Sequence, residues 1–159
     1  MTMLAAIPYA SGFPIDAFMQ GVAARMKRRG LRLGGVVQHN DAACADRCMA
    51  MSLEDLGAAA AGCHLDAAGL AAAAAVFAAA LAERVDLVMV NKFGKQEALG
   101  EGLRQEIANA VTAGFPVLIA VRRDFLPAWR DFAGDDWIEL AAEAAAVERW
   151  VADATRRAA

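Results

Sequence analysis

Val85-Asp86-Leu87-Val88-Met89-Val90 runs straight into Asn91-Lys92-Phe93-Gly94-Lys95-Gln96-Glu97, so an apolar run turns polar within one residue. The first half is short, rich in valine and bounded by charge on both sides. It predicts a buried strand over 85–90 rather than a helix. From Glu97 onward the period changes. Leu99, Leu103, Ile107, Ala110 and Val111 share one helical face and Gly114 ends the run, predicting a helix over 97–113. A strand apolar on both faces leading into a helix is the unit of a parallel sheet covered on both sides.

The same alternation extends in both directions. Residues 3–8 (MLAAIP) read as a first strand, and 15–29 as a helix with Ile15, Phe18, Met19, Val22 and Met26 on one face. Its last turn carries Lys27, Arg28 and Arg29, where the helix dipole favours positive charge, and Gly30 stops it. Residues 31–38 (LRLGGVVQ) read as a second strand whose glycines imply close approach of another backbone. The span 39–51 has no period and reads as loop plus a helical turn, while 52–55 opens a short helix ending at Gly57. Asp66 caps a long alanine helix that ends near Arg84. Further on come a strand at 115–121, a helix at 126–132, a brief strand at 137–140 and a terminal helix at 141–156. Joined by right-handed crossovers, these make one α/β domain over 1–159, a three-layer sandwich around a mainly parallel sheet.

Composition narrows the function classes. Hydrophobic residues make up 58%, 41 of the 159 residues being alanine, which excludes wholesale disorder and favours closely packed helices. Sixteen basic residues against nineteen acidic leave a net charge of -3, with no electrostatic reason for nucleic acid or an anionic membrane as partner. The longest uncharged stretch, 67–82, is mostly alanine and shorter than the roughly 20 residues a spanning helix needs. The opening residues lack the basic segment of a secretory signal, so a cytoplasmic protein with reduced thiols is expected.

In an open parallel sheet all strands end on one edge, and ligands bind there. That rule selects the segments 9–16, 38–48, 91–97 and 122–129, which supply Ser11, Asp16, Gln38, His39, Asn91, Lys92, Lys95, Glu97, Arg122 and Arg123. The first strand–helix turn stands where a phosphate-binding loop would, with the pattern GxxxxGK[ST]. Here only Gly12 survives, the lysine is missing, and Asp16 lies near the hydroxyl position. Where a phosphate-loop enzyme ends its later strand in acids that hold magnesium, this chain has Asn91 and Lys92. Lys92, Lys95 and Arg104, opposite Arg122, are therefore expected to form an anion pocket, with Asn91 hydrogen bonding, Ser11 and Gly12 giving backbone contacts, and Gln38 among the ligand-binding residues of the same edge. The alternative keeps magnesium-dependent hydrolysis, with Asp16 and Glu97 holding the metal or positioning water.

Cys44, Cys48 and Cys63 fall near His39 and His64, and Cys44 and Cys48 would share a helical face at i, i+4. That spacing permits a metal site but matches no paired CxxC signature; ordinary packing thiols are the competing reading. Trp129, Trp137 and Trp150 gather towards the C-terminus, to seal the last helix against the sheet or to meet a second copy in a homo-oligomer.

Asp86-Leu87-Val88 through the Asn91–Glu97 segment, then Gly100 and Gly102-Leu103-Arg104, resembles the signature of an uncharacterised bacterial domain family often encoded beside molybdate-uptake genes. Gln38, Gly62-Cys63-His64-Leu65-Asp66 and Pro116-Val117-Leu118 resemble it too, so the likeness covers nearly the whole chain. More distantly, the layout is similar to small nucleoside triphosphatases of the THEP type, whose later strand ends Asp-Glu-Ile-Gly-Lys where this chain has Asn91-Lys92-Phe93-Gly94-Lys95. The resemblance implies a phosphate-loop nucleoside-triphosphatase fold with about five parallel strands. It also implies a nucleotide, phosphate or molybdate-like oxyanion as ligand and a place beside molybdenum homeostasis. With the loop lysine and acidic pair both replaced, the expectation is binding without hydrolysis.

Overall fold

Leu4–Tyr9 forms β1, six consecutive buried residues, as a strand covered on both faces must. The structure is a computed structural model and describes residues 2–40, 51–55, 61–63, 67–100 and 103–159. After β1 come α1 (Ile15–Arg28), β2 (Leu33–Asn40), β3 (Met51–Asp55), β4 (Ala61–Cys63), α2 (Ala67–Glu83) and β5 (Leu87–Phe93). The chain continues through α3 (Lys95–Ala98), α4 (Arg104–Thr112), β6 (Val117–Arg122), α5 (Leu126–Ala133), β7 (Ile138–Glu139) and α6 (Ala144–Ala158).

All described strands join one sheet in the order β4-β3-β2-β5-β6-β1-β7. Five of them, β2, β5, β6, β1 and β7, run parallel, which is the expected mainly parallel α/β architecture. The other two were not foreseen. Residues 52–55, read as the start of a helix, belong to β3, which pairs antiparallel with β2 from Val36↔Asp55 to Asn40↔Met51. β4 pairs antiparallel with β3 in turn. A few residues carry little intrinsic preference, and the open edge of β2 outweighs it.

The sheet's two faces carry separate cores. Ile15, Met19, Val22 and Met26 of α1, with Val147, Trp150 and Val151 of α6, pack on Ala5, Ile7, Leu87, Met89 and Leu118. Phe77 and Ala80 of α2, Ile107 of α4 and Trp129 of α5 pack on Leu4, Ala6, Val88, Val90 and Ile119. Within β1 the faces alternate with the period of two that a pleated strand imposes. The three tryptophans are accordingly split between the layers rather than gathered. Trp129 packs beside Phe93 and Trp137, with ring centroids 5.3 and 5.8 Å away, while Trp150 alone seals α6. Arg25 of α1 and Arg29, just past its end, clip onto Glu148 of α6 at 3.0 and 3.1 Å.

The single helix expected over 97–113 is two helices, α3 and α4, with Gly100 between them at φ +88. Glu97 explains the break. Its carboxylate is buried and accepts the N–H of Gly94 at 3.1 Å and of Leu103 at 3.4 Å, drawing the chain into a turn. Among the described residues no helix is long and apolar enough to cross a membrane.

Candidate functional site

β1, β5 and β6 end at Tyr9, Phe93 and Arg122, and because they are parallel all three open on the same edge. Between β1 and α1 the chain turns tightly. Phe13 N–H bonds the Ala10 carbonyl at 3.1 Å, with Gly12 at φ +90, a conformation that costs glycine little. Behind this turn lies a cleft of 560 Å³ lined by Tyr9, Ser11, Gly12, Asp16, Lys92 and Arg122, among others.

The side chains around it are tied together. Asn91 is wholly buried and donates from Nδ2 to Asp16 Oδ1 at 2.8 Å, and Lys92 Nζ lies 3.5 Å from the same oxygen. Adjacent residues of a regular strand point to opposite faces. Here the pairing of β5 with β6 shifts between Val90↔Ile119 and Phe93↔Val121, placing one extra residue on β5. Such a bulge re-aims side chains at a strand end, and both Asn91 and Lys92 reach one carboxylate. Arg122 forms an ion pair with Asp124, Nε to Oδ2 3.2 Å, and its guanidinium lies 4.7 Å from the centre of the Phe125 ring.

Tyr9 closes the inner wall, its ring 6.0 Å from Lys92 Nζ. Burial, then the nearby Asp16 carboxylate, push its phenol up to about 12 from the usual 10.0, with Arg122 opposing and Asp124 adding. The hydroxyl therefore keeps its proton, and its ability to donate, through the neutral range. It is the chain's one tyrosine, so tyrosinate absorbance at alkaline pH reports it alone. The midpoint is expected near 12; a midpoint at 10 would mean an open ring. The folded phenol holds its proton more tightly than the unfolded one. This group therefore leaves stability untouched below pH 10 and lowers it as pH rises from 10 towards 12.

Residues 4–150 match the family described as Protein of unknown function (DUF2478). The chain belongs to that family. It is also 40% identical over 166 aligned residues to the Molybdenum import ATP-binding protein ModC 2 of Bradyrhizobium diazoefficiens. That alignment takes in 97% of this chain but 18% of the relative, so the chain spans less than a fifth of the relative's length. No solved structure matches. The family match agrees with the resemblance to an uncharacterised domain. A parallel sheet flanked by helices, opening with a strand, a glycine turn and a helix, gives this member a phosphate-loop NTPase-like α/β fold.

Of the residues singled out in the sequence of this family member, Ser11, Gly12, Asp16, Lys92 and Arg122 line one cleft, and Asn91 reaches it through Asp16. Glu97 and Arg104 are placed elsewhere. Arg104 is not in the cleft's lining: it donates to the Glu97 carbonyl at 3.3 Å and its guanidinium lies 4.8 Å from the centre of the Phe132 ring. Glu97, tied to two backbone N–H groups, is a turn-forming residue. Glu97→Ala removes the acceptor of both, and urea denaturation is expected to show a loss of about 1–3 kcal/mol, with ligand affinity unaltered. Gln38 lies on β2, Lys95 opens α3 and Cys63 ends β4, but their side chains lie outside the described ones, as do Cys44 and Cys48 altogether. Among the described residues no three metal-ligating side chains gather. Tyr9, Phe13 and Gln20 also line the cleft and were not singled out. Gln20 had a signal, since it follows Asp16 by one helical turn.

Proposed function

We propose that the protein binds a small anionic ligand, a nucleotide, phosphate or molybdate-like oxyanion, in the 560 Å³ cleft at the carboxyl edge of its sheet, without hydrolysing it. The observation that carries this reading is the cleft's lining: two cations, Lys92 held by Asp16 and Arg122 held by Asp124, stand beside a glycine turn. A magnesium-dependent hydrolase needs acids at the end of β5. This chain puts an amide and an amine there, and both engage Asp16. Glu97, the other acid that hydrolysis would recruit, is committed to its turn.

The relative's name supports a link to molybdenum import and to ATP, so we place the role as accessory to molybdenum homeostasis. ATP binding belongs to a protein of which this chain matches 18%, and it supports the reading only as far as that overlap. Calorimetry with ATP, GTP, molybdate and phosphate tests the proposal, and saturable binding of at least one at one site per chain is expected. Silence from all four sinks it. Magnesium-dependent phosphate release that vanishes in Asp16→Asn would overturn the non-hydrolysing part.

A further inference from the structure

The parallel strands share a second edge at their amino ends, away from the anion cleft, and charge is sorted along it. β2, β5, β6, β1 and β7 begin there side by side. α1 and α2 end where β2 and β5 begin, and α5 ends where β7 begins. α6 returns to the same edge, since its Thr155 and Ala158 line a 500 Å³ cleft there with Arg32, Arg84 and Pro116.

At one end of this edge positive charge is left over. Arg25 and Arg29 are held by Glu148, Arg32 by Asp86 and Arg156 by Asp153. Lys27, Arg28, Arg84 and Arg157 are exposed and form no ion pair among the described residues, with Glu83 as the acid beside them. At the other end Asp131, Asp135 and Asp136 are exposed and equally unpaired among the described residues, with Arg130 as the base beside them. From β2 to β7 is four strand spacings of about 4.8 Å, so the two ends lie roughly 19 Å apart. That is about twice the screening length of physiological salt, so they do not neutralise each other within one molecule. Midway stands β6, and the cleft beside it offers Leu81, Phe115 and Pro116.

We propose that two copies of this chain meet at this edge, the basic end of each against the acidic end of the other, about a two-fold axis near the start of β6. This does not depend on the anion-binding function proposed above. A two-fold contact must be self-complementary, and an edge with opposite charges on either side of its centre is so. Apolar side chains at the centre with charge at the rim are the usual arrangement of a protein interface. Trp129 and Trp150, buried in the two cores, do not supply the contact.

Arg84 adds a second argument. α1 and α4 close with Gly30 and Gly114, both at φ +84. α2 closes through the same pair of bonds, Arg84 N–H to the Leu81 carbonyl at 3.3 Å and Val85 N–H to the Ala80 carbonyl at 3.4 Å, but with Arg84 at φ +53. Glycine takes that conformation with the least strain. An arginine in its place points to a use for the side chain, and its guanidinium faces outward on the basic end of the edge.

Sedimentation equilibrium of the whole chain tests this. A dimer is expected at low salt, with its dissociation constant raised at least tenfold at high salt. Lys27→Glu with Arg28→Glu is expected to weaken it at least tenfold, Asp135→Lys with Asp136→Lys likewise, and all four together to restore it. These positions are exposed, so the circular dichroism spectrum is expected to stay as it was. Arg84→Gly separates contact from strain. It is expected to weaken the dimer, yet to raise the urea midpoint at high salt, where the chain is single. A monomer at every concentration, or a dimer indifferent to salt and to both reversals, would overturn the inference. So would a quadruple variant no tighter than either pair.

Discussion

Gly35→Ala is expected to lower stability by at least about 4 kcal/mol, enough to unfold a domain of ordinary stability. Gly35 sits in β2 at φ +98, a region side-chain-bearing residues rarely occupy, and a Cβ built there would lie 2.0 Å from the Met89 carbonyl oxygen. The obstacle is the backbone of the neighbouring strand, in the middle of the sheet, and cannot turn away. Gly34 differs instructively. Its Cβ would meet Ala80 Cβ of α2 at 2.5 Å, a helix that can slide outward. Gly34→Ala is expected to cost less, about 1–3 kcal/mol, and Gly34→Ala with Ala80→Gly to recover part of the loss. Urea denaturation of the four proteins checks this. Equal losses for Gly34→Ala and Gly35→Ala would contradict the packing described.

The second large effect concerns charge. Lys92→Ala is expected to weaken anion binding roughly tenfold to a hundredfold, the worth of one charge-assisted contact. Asp16→Asn should act in the opposite direction. It removes the one carboxylate in the cleft lining, releases Lys92 from its 3.5 Å ion pair and keeps an oxygen to accept from Asn91. Affinity is expected to rise about tenfold, an effect that added salt reduces. A fall in affinity would mean instead that Asp16 holds a cation between itself and the ligand. Titration calorimetry at two salt concentrations separates the cases.

Much of the fold could be read from periodicity because buried strands and one-sided helices leave strong local marks. The run 85–90 and the glycine pair of β2 told of a covered strand and of a close neighbour, and Gly34 and Gly35 meet α2 and β5. What escaped was set by contacts distant in the chain. β3 is a strand because it has β2 to pair with. The helix expected over 97–113 is broken by one carboxylate choosing two backbone N–H groups over solvent. At the site, the edge rule located the turn, Lys92 and Arg122. It could not reveal that a register shift against β6 turns Asn91 and Lys92 onto the same oxygen. Arg104, expected in the pocket opposite Arg122, is outside the cleft's lining and lies against an aromatic ring of α5, another contact distant in the chain.

Among the described residues the sheet's outermost strands, β4 with three residues and β7 with two, are far shorter than the parallel strands inside. An unpaired margin of that length exposes few peptide groups, so a stray strand from another molecule has little ladder to extend. The long, apolar ribbons, which would recruit one another if left bare, are held between neighbours, and this ordering by length protects an alanine-rich chain from fibrous self-association.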